Sequence, residues 1–510
     1  MNKSARQITV SFFCFGLLAA SLPQRSAVPA DDATADSGNS IVAPSSTAKS
    51  TDARTEEPPS DWIDPATGHC IIRLSREPGT SSMYFHQNAY TDDKLLVTIS
   101  RRRQPHSTEQ PPTDDPQSGA VNSASRSSSG RPITLAAIDL STLGTSPPKI
   151  DEITTGSDLG MIVGRKSGNV YYVRSQTVNG APADTVCATN LNTHETREIG
   201  RLPFHMASGL AVNADETLLG GSFTVDSADA QSQTAGANQP QKDSDASSDQ
   251  QPTSSSAETP QDRNISTRFA AHLPMKLFTI DIHTGEVQTF HPSTDWLNHV
   301  QFSPTDPQLM MFCHEGPWHE VDRIWTIRPG SDNAQLMHQR TMPYEIAGHE
   351  FFGAGGTIWY DLQTPRSEKF WLASVNPNTG ERLWYPLNRS QWSVHYNQSH
   401  NGKLFAGDGG GPNSVANRGP LPEGRRLDTP GNGQWIYLFT PAVDNLETKQ
   451  IGDVTVKIGH FTVEKLVDLS KHNYQLEPNV TFTPDDKWIV FRSNMHGPVH
   501  TYAVEIAKSH

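Results

Sequence analysis

HVQFSPTDPQLMMFC, His299 to Cys313, decides the fold. Apolar residues alternate, a Pro/Asp turn interrupts them, and a second apolar run follows, which is the pattern of two short strands joined by a turn. The same phrase recurs along the chain. It reads QNAYTDDKLLVTIS from Gln87, MIVGRKSGNVYYVR from Met161, GLAVNADETLLGGS from Gly209 and HEFFGAGGTIWYDL from His349. It returns as HYNQSHNGKLFAGD from His395 and NVTFTPDDKWIVFRS from Asn479. A second phrase usually follows, a strand and then a turn such as IDIHTGEV (Ile280–Val287) or VNPNTGER (Val375–Arg382). Each unit thus holds the strands of one four-stranded propeller blade, and the uninterrupted units are spaced by about 45 to 51 residues. Helical periodicity is nearly absent. The expected fold class is all-β, a seven-bladed β-propeller.

The first residue of each quoted phrase opens a blade's innermost strand, which lines the central channel. These positions read Gln87, Met161, Gly209, His299, His349, His395 and Asn479. A single histidine there usually hydrogen-bonds between blades. Three histidines and an asparagine in one register, on neighbouring blades, instead converge as binding-site side chains do.

The stretch FCHEGPWHEVDR, Phe312–Arg323, carries two further histidines, but it is not a zinc-protease helix. That motif needs histidines four apart on one helical face. His314 and His319 are separated by five, with Gly316 and Pro317 between them, and proline breaks a helix interior. A loop or strand end is expected.

The chain has 510 residues, a formal charge of −14 and four cysteines. The acidic balance argues against nucleic acid as the main partner. Lys3 and Arg6 precede an apolar run, Ile8–Leu22, and small residues follow up to Ala30. This is the layout of a secretory signal, too short to span a bilayer. The expectation is an exported protein, periplasmic or secreted, without a transmembrane segment. Cys14 would leave with the signal or anchor a lipid, for which its context FFCFG is poor; Cys70, Cys187 and Cys313 are too few and too scattered for a disulfide framework. The expected organisation is a signal over 1–30, a disordered linker over 31–60 and a propeller over 61–510. Inserts are expected at 104–130, 226–263 and 409–433, the first two Ser/Asp/Gln-rich and the third Gly/Pro-rich.

At this point the motifs resemble a known family. FCHEGPWHEVDR, AGHEFF, HYNQSHNGKLFAGDGG, DWLNHVQFSPTDP and NVTFTPDDKWIVFRSNMHG are similar to those of the oligogalacturonate lyases. The likeness runs from about Asp61 to Ile506 outside the inserts. It implies a seven-bladed polysaccharide lyase that cleaves short pectin fragments, acidic oligosaccharides, by β-elimination with a manganese ion and releases an unsaturated uronate. It makes His349 the proton-abstracting base and Arg323 the assisting cation. His314 and His319 would line the same mouth, and His299 and Gln87 complete the substrate-binding set from the shared register. One metal ligand would be His395. The others sit in a Q-x-x-H-x-H segment, where this chain has YQLEPN, so Glu477 and Asn479 replace two histidines and Gln475 is the nearest glutamine; His472 is a further candidate. Carboxylate and amide oxygens suit a hard cation, so calcium or magnesium stand beside manganese as the expected divalent metal.

Two other readings compete. One is a non-catalytic exported propeller that binds a partner, which would have no use for His349, Arg323 and His395 in one place. The other is a hydrolase, which needs two carboxylic acids across the scissile bond and would draw on Glu315, Glu350 and Glu477. A lyase on another uronate oligosaccharide is the variant nearest to the first reading.

Overall fold

The computed structural model describes residues 57–100, 133–225, 260–411 and 433–508, apart from 157, 176, 179–180, 183, 443 and 445. The expected signal, most of the linker and most of each insert lie outside the described residues. The helix Pro260–Ala270 begins within the end of the expected 226–263 insert.

Seven antiparallel sheets form the propeller ring. The blade containing the opening stretch shows how each is built. Trp296–Phe302 is innermost, followed outward by Met310–Glu315, Ile324–Ile327 and Gln335–Leu336. The sequence dictates this locally. Met311 and Cys313 alternate with Met310 and Phe312, so one set faces the next blade and the other the previous blade. Both sets are fully buried. A strand inside a propeller has packed neighbours on both faces, which explains runs such as IWYDLQ (Ile358–Gln363) that are largely apolar and buried throughout, Asp361 and Gln363 included.

The core is correspondingly divided. Met311, Ile324, Ala347 and Tyr360 pack between the fourth and fifth blades. Phe85, Phe351, Tyr396 and Phe439 pack between the fifth and sixth, with the first blade's channel residues added. Ile436, Leu466, Phe482 and Val504 join the sixth to the seventh.

The turns expected from the second phrase are present. Asp281 Oδ1 accepts from the backbone N–H groups of His283 (2.8 Å) and Thr284 (2.7 Å), and Gly285 closes the turn at φ 74°. Asn376 does the same for Asn378 and Thr379. These side chains mimic a backbone turn, and glycine takes the left-handed conformation at no steric cost.

The ring closes through the beginning of the chain. The last blade holds Thr481–Phe482, Trp488–Ser493 and His500–Lys508, and its fourth strand is His69–Arg73. Ile71 pairs with Val504 and Arg73 with Tyr502. A hairpin, Glu447–Ile451 and Val454–Ile458, leaves the sixth blade and adds to the outer edge of the fifth, Leu383 pairing with Lys457 in parallel.

The innermost strands carry a shared irregularity. Pairing skips two residues between Asn298 and Gln301, between Gly348 and Phe351, and between Leu159 and Ile162. The first skipped residue is left-handed in each case: His299 at φ 48°, His349 at 47° and Gly160 at 61°. Asn479 takes the same conformation at 56°. These β-bulges lie inside the strands and re-aim the skipped side chain. They also correct the alignment of the second blade. The residue equivalent to His299 there is Gly160, one position before Met161, because the glycine at the bulge left no side chain by which to read the register.

Because closure rests on one strand, its core residue should matter more than its neighbours outside. Replacing Ile71, fully buried, by Ala is expected to cost about 2–4 kcal/mol in urea unfolding. Ile63→Ala, at a half-exposed site, should cost less than about 0.5 kcal/mol.

Candidate active site

At their bulges the innermost strands turn several side chains onto one group of channel residues, Tyr84, Phe85 and His86. The His349 and His395 rings lie 4.6 Å apart. Tyr84 is 5.2 Å from His395 and 5.9 Å from His299, and His86 is 5.4 Å from His299. The backbone of Phe85 is held on both sides, its N–H donating to Asn479 Oδ1 (3.2 Å) and its carbonyl accepting from Asn397 Nδ2 (3.1 Å).

Each central histidine is oriented by a buried carboxylate. His349 Nδ1 donates to Asp361 Oδ1 (3.0 Å), and His395 Nδ1 donates to Asp408 Oδ2 (2.8 Å). An ionised carboxylate only accepts, so each bond then places the proton on Nδ1 and leaves the lone pair of neutral imidazole on Nε2; burial raises the Asp408 carboxyl to about 7, against the backbone N–H groups of His395 and Asn479 that favour its ionised form. Burial opposes charge on His349, but Asp361 and then Glu477 outweigh it and hold its pKa above the ordinary value. Burial wins at His395, which is pushed well below it, and at His86, lowered to about 3.

His395 Nε2 has no hydrogen-bond partner and is buried. The nearest anion is Glu477, whose Oε2 lies 3.7 Å away and whose side chain is 26% exposed. A buried imidazole lone pair, backed by a carboxylate on its other nitrogen and facing a second carboxylate, is a donor set for a divalent cation. Asn479 is in the same register but is spent: its Oδ1 accepts from Phe85 and its Nδ2 donates to the Glu477 carbonyl (3.1 Å). Gln475 is exposed; Tyr474 turns inward instead, its hydroxyl donating to the Asp408 carbonyl (3.0 Å). His472 is also engaged, through Ser493 and the Leu476 carbonyl. The residues present therefore fit a cation through His395 and Glu477, not through Gln475 or Asn479.

Arg323 lies beside this group, wholly enclosed. Its guanidinium pairs with Glu315 through two nitrogens, approaches Glu350 Oε2 at 3.7 Å and stacks over Trp318 at 4.8 Å. Trp318 in turn meets His349 edge-on at 4.9 Å. Glu350 also accepts from His299 Nδ1 (2.9 Å). Burial raises the Glu350 pKa, but Arg323 and His299 overcome this and hold it below the usual range. Glu315 and Glu350, two of the acids a hydrolase would call on, are thus committed to Arg323.

The structure does not bring every expected residue here. Strand alternation turns His314 to the face opposite Cys313 and Glu315. It stacks on Trp325 at 4.8 Å with Asp295 nearby, against the preceding blade. His319 lies in the following turn, stacked at 6.0 Å on Tyr344. Gln87 remains in the channel, facing Gly209 across it. Tyr84 and His86 belong to the group although the repeat alone did not mark them. The signal was the run MYFH immediately before Gln87, four large residues where a turn would otherwise be expected, the first three buried and His86 half-buried.

Residues 266–510 match the model of the oligogalacturonate lyase family. The oligogalacturonate lyase of Dickeya dadantii is 29% identical over 247 residues, 46% of this chain and 56% of that protein. The oligogalacturonide lyase of Pectobacterium atrosepticum is 26% identical over 241 residues, with the same coverage of 46% and 56%. The chain thus spans about half the length of the curated relatives it matches. A solved structure of an oligogalacturonate lyase in complex with manganese is similar with a TM-score of 0.59 at 20% identity, covering 88% of this chain and 96% of that one. Another, from Vibrio parahaemolyticus, gives 0.58 at 19% identity, covering 88% and 96%. At these identities the two structures establish the propeller fold. The matched residues 266–510 are also those that supply His299, Arg323, His349, His395 and Glu477.

Proposed function

We propose that the protein cleaves oligogalacturonides by β-elimination, with His349 as the base. The observation that carries the reading is the convergence of His349, oriented by Asp361, with the unpartnered Nε2 of His395 beside Glu477, in a region that matches the lyase family.

Elimination in a uronate removes the proton on C5, next to the carboxylate, and expels the glycosidic oxygen from C4. The C5 proton is weakly acidic because the product anion would sit beside an existing negative charge. A base near neutral pKa must therefore be held in one geometry. His349 meets that need. Asp361 locks its ring and tautomer, and Trp318 and Phe85 confine it. A divalent cation bound by His395 and Glu477, manganese being the ion in one similar structure, would act as a Lewis acid on the substrate carboxylate and disperse the developing charge. Asp408 keeps His395 in the ligating tautomer, and burial keeps it neutral. The Arg323–Glu315–Glu350 cluster acts from behind: it holds Trp318 against His349 and keeps His299 hydrogen-bonded. The basic and apolar leader supports export as the companion proposal, with the acidic oligosaccharide met outside the cytoplasm.

Two outcomes test this. With manganese, trigalacturonate should yield a fragment one water lighter than the hydrolysis product, by mass spectrometry. His349→Ala should lower the rate by about 10²- to 10⁴-fold, and chelation should abolish it; a fragment of hydrolytic mass would sink the reading. Separately, Glu477→Gln should weaken Mn²⁺ binding, followed by electron paramagnetic resonance, by about tenfold or more. Asn479→Ala should leave that affinity within about threefold and instead lower stability, by about 1–3 kcal/mol for the lost bond to Phe85.

A further inference from the structure

An oligouronide brings one carboxylate per sugar, and the candidate site is rich in acids: Glu315, Glu350, Asp361, Asp408 and Glu477. Something cationic must face the substrate besides a metal. Arg323 is poorly placed for this. Its side chain is 0% exposed, and Glu315, Glu350 and Trp318 already take its charge.

A second arginine sits at the same place. Arg492 is the last residue but one of the strand Trp488–Ser493 and is only partly buried. Its Nε donates to the Glu477 carbonyl (2.7 Å), and its Nη1 donates to Ser81 Oγ (3.0 Å) on the first blade. These anchors come from opposite sides of the ring closure and fix the plane of the guanidinium. Nη2 has no hydrogen-bond partner among the described residues. The charge lies close enough to interact with Glu477, Tyr84 and Asp408, and it acts on His395 as well. Among the described residues no carboxylate forms an ion pair with it at contact distance. A planar cation, held by two neutral acceptors and left one edge short, is prepared for a carboxylate oxygen.

We propose that Arg492, rather than Arg323, receives a carboxylate of the bound uronate and makes the site selective for acidic sugars. This deepens the lyase reading and rests on it for the identity of the ligand. The role is binding: Arg492 pairs with a charge present in substrate and product alike, while His349 moves the proton. It also gives the Glu477 segment a second duty, since the backbone that presents the carboxylate to the cation site also orients Arg492.

The test is trigalacturonate binding to manganese-loaded His349→Ala protein, measured by isothermal titration so that turnover does not interfere. Arg492→Gln in that background should raise Kd by about tenfold or more, and Arg492→Lys, which keeps the charge, should recover part of the loss. Mn²⁺ affinity and thermal midpoint should stay close to those of the parent. An unchanged Kd in Arg492→Gln overturns the proposal. So does a loss of sugar binding that comes with an equal loss of Mn²⁺ affinity, since Arg492 would then merely support the Glu477 segment. Failure of the lyase reading looks different: the unsubstituted protein binds trigalacturonate, with Arg492 contributing, yet releases no elimination product with any divalent cation.

Discussion

Everything in the candidate site depends on closing the ring. His349 and His395 stand on neighbouring blades, but the residues they meet, Tyr84, Phe85 and His86, belong to the first blade, more than 250 positions earlier. They are brought together because His69–Arg73 completes the last blade and delivers the chain directly into the channel. Asn479 then clasps Phe85 from the seventh blade and Asn397 from the sixth. Arg492 and Ser81 bridge the same seam. Folding the ring and assembling the site are one event, in which distant contacts must form together.

Within that frame the chemistry is governed by buried charge. An enclosed ion is costly unless it is paired and hydrogen-bonded. Arg323 is satisfied by two glutamates and an indole face, and the two central histidines are each satisfied on one nitrogen by an aspartate. Behind the site each charge faces an opposite one, although Arg323 Nε and Glu350 Oε2 make no hydrogen bond. In front of it His395 Nε2, the partly exposed Glu477 and one edge of Arg492 stay open. This division separates the groups that hold the architecture from those that can meet a ligand.

The repeat made the fold legible because a strand packed on both faces must be apolar along its length, and each turn must carry its own Asp, Asn or Gly. The same register located His299, His349, His395 and Asn479 together. It failed by one residue in the second blade, where Gly160 occupies the bulge and Met161 supplied the only visible side chain. The resemblance placed His314 in the mouth, yet alternate residues of a strand face opposite ways, and His314 turns from the face of Cys313 and Glu315. The standing of Arg323 and Arg492 was beyond the sequence altogether. Both are arginines near strand ends, and only the carboxylates brought to one and withheld from the other tell them apart. Tyr84 and His86 lie three residues and one residue before the aligned phrase, where no periodicity reports on a channel-filling segment.

The left-handed residue carried by several innermost strands has a consequence for descent. Side chains that tolerate this conformation include glycine, asparagine, aspartate and histidine, and the last three can also ligate metals or move protons. The fold's own steric filter therefore proposes functional residues at the mouth of the channel. An exchange of histidine for asparagine at a position such as 479 leaves the backbone undisturbed. Ligand sets can drift there from one lineage to the next, each step accepted by the scaffold before selection has judged its chemistry.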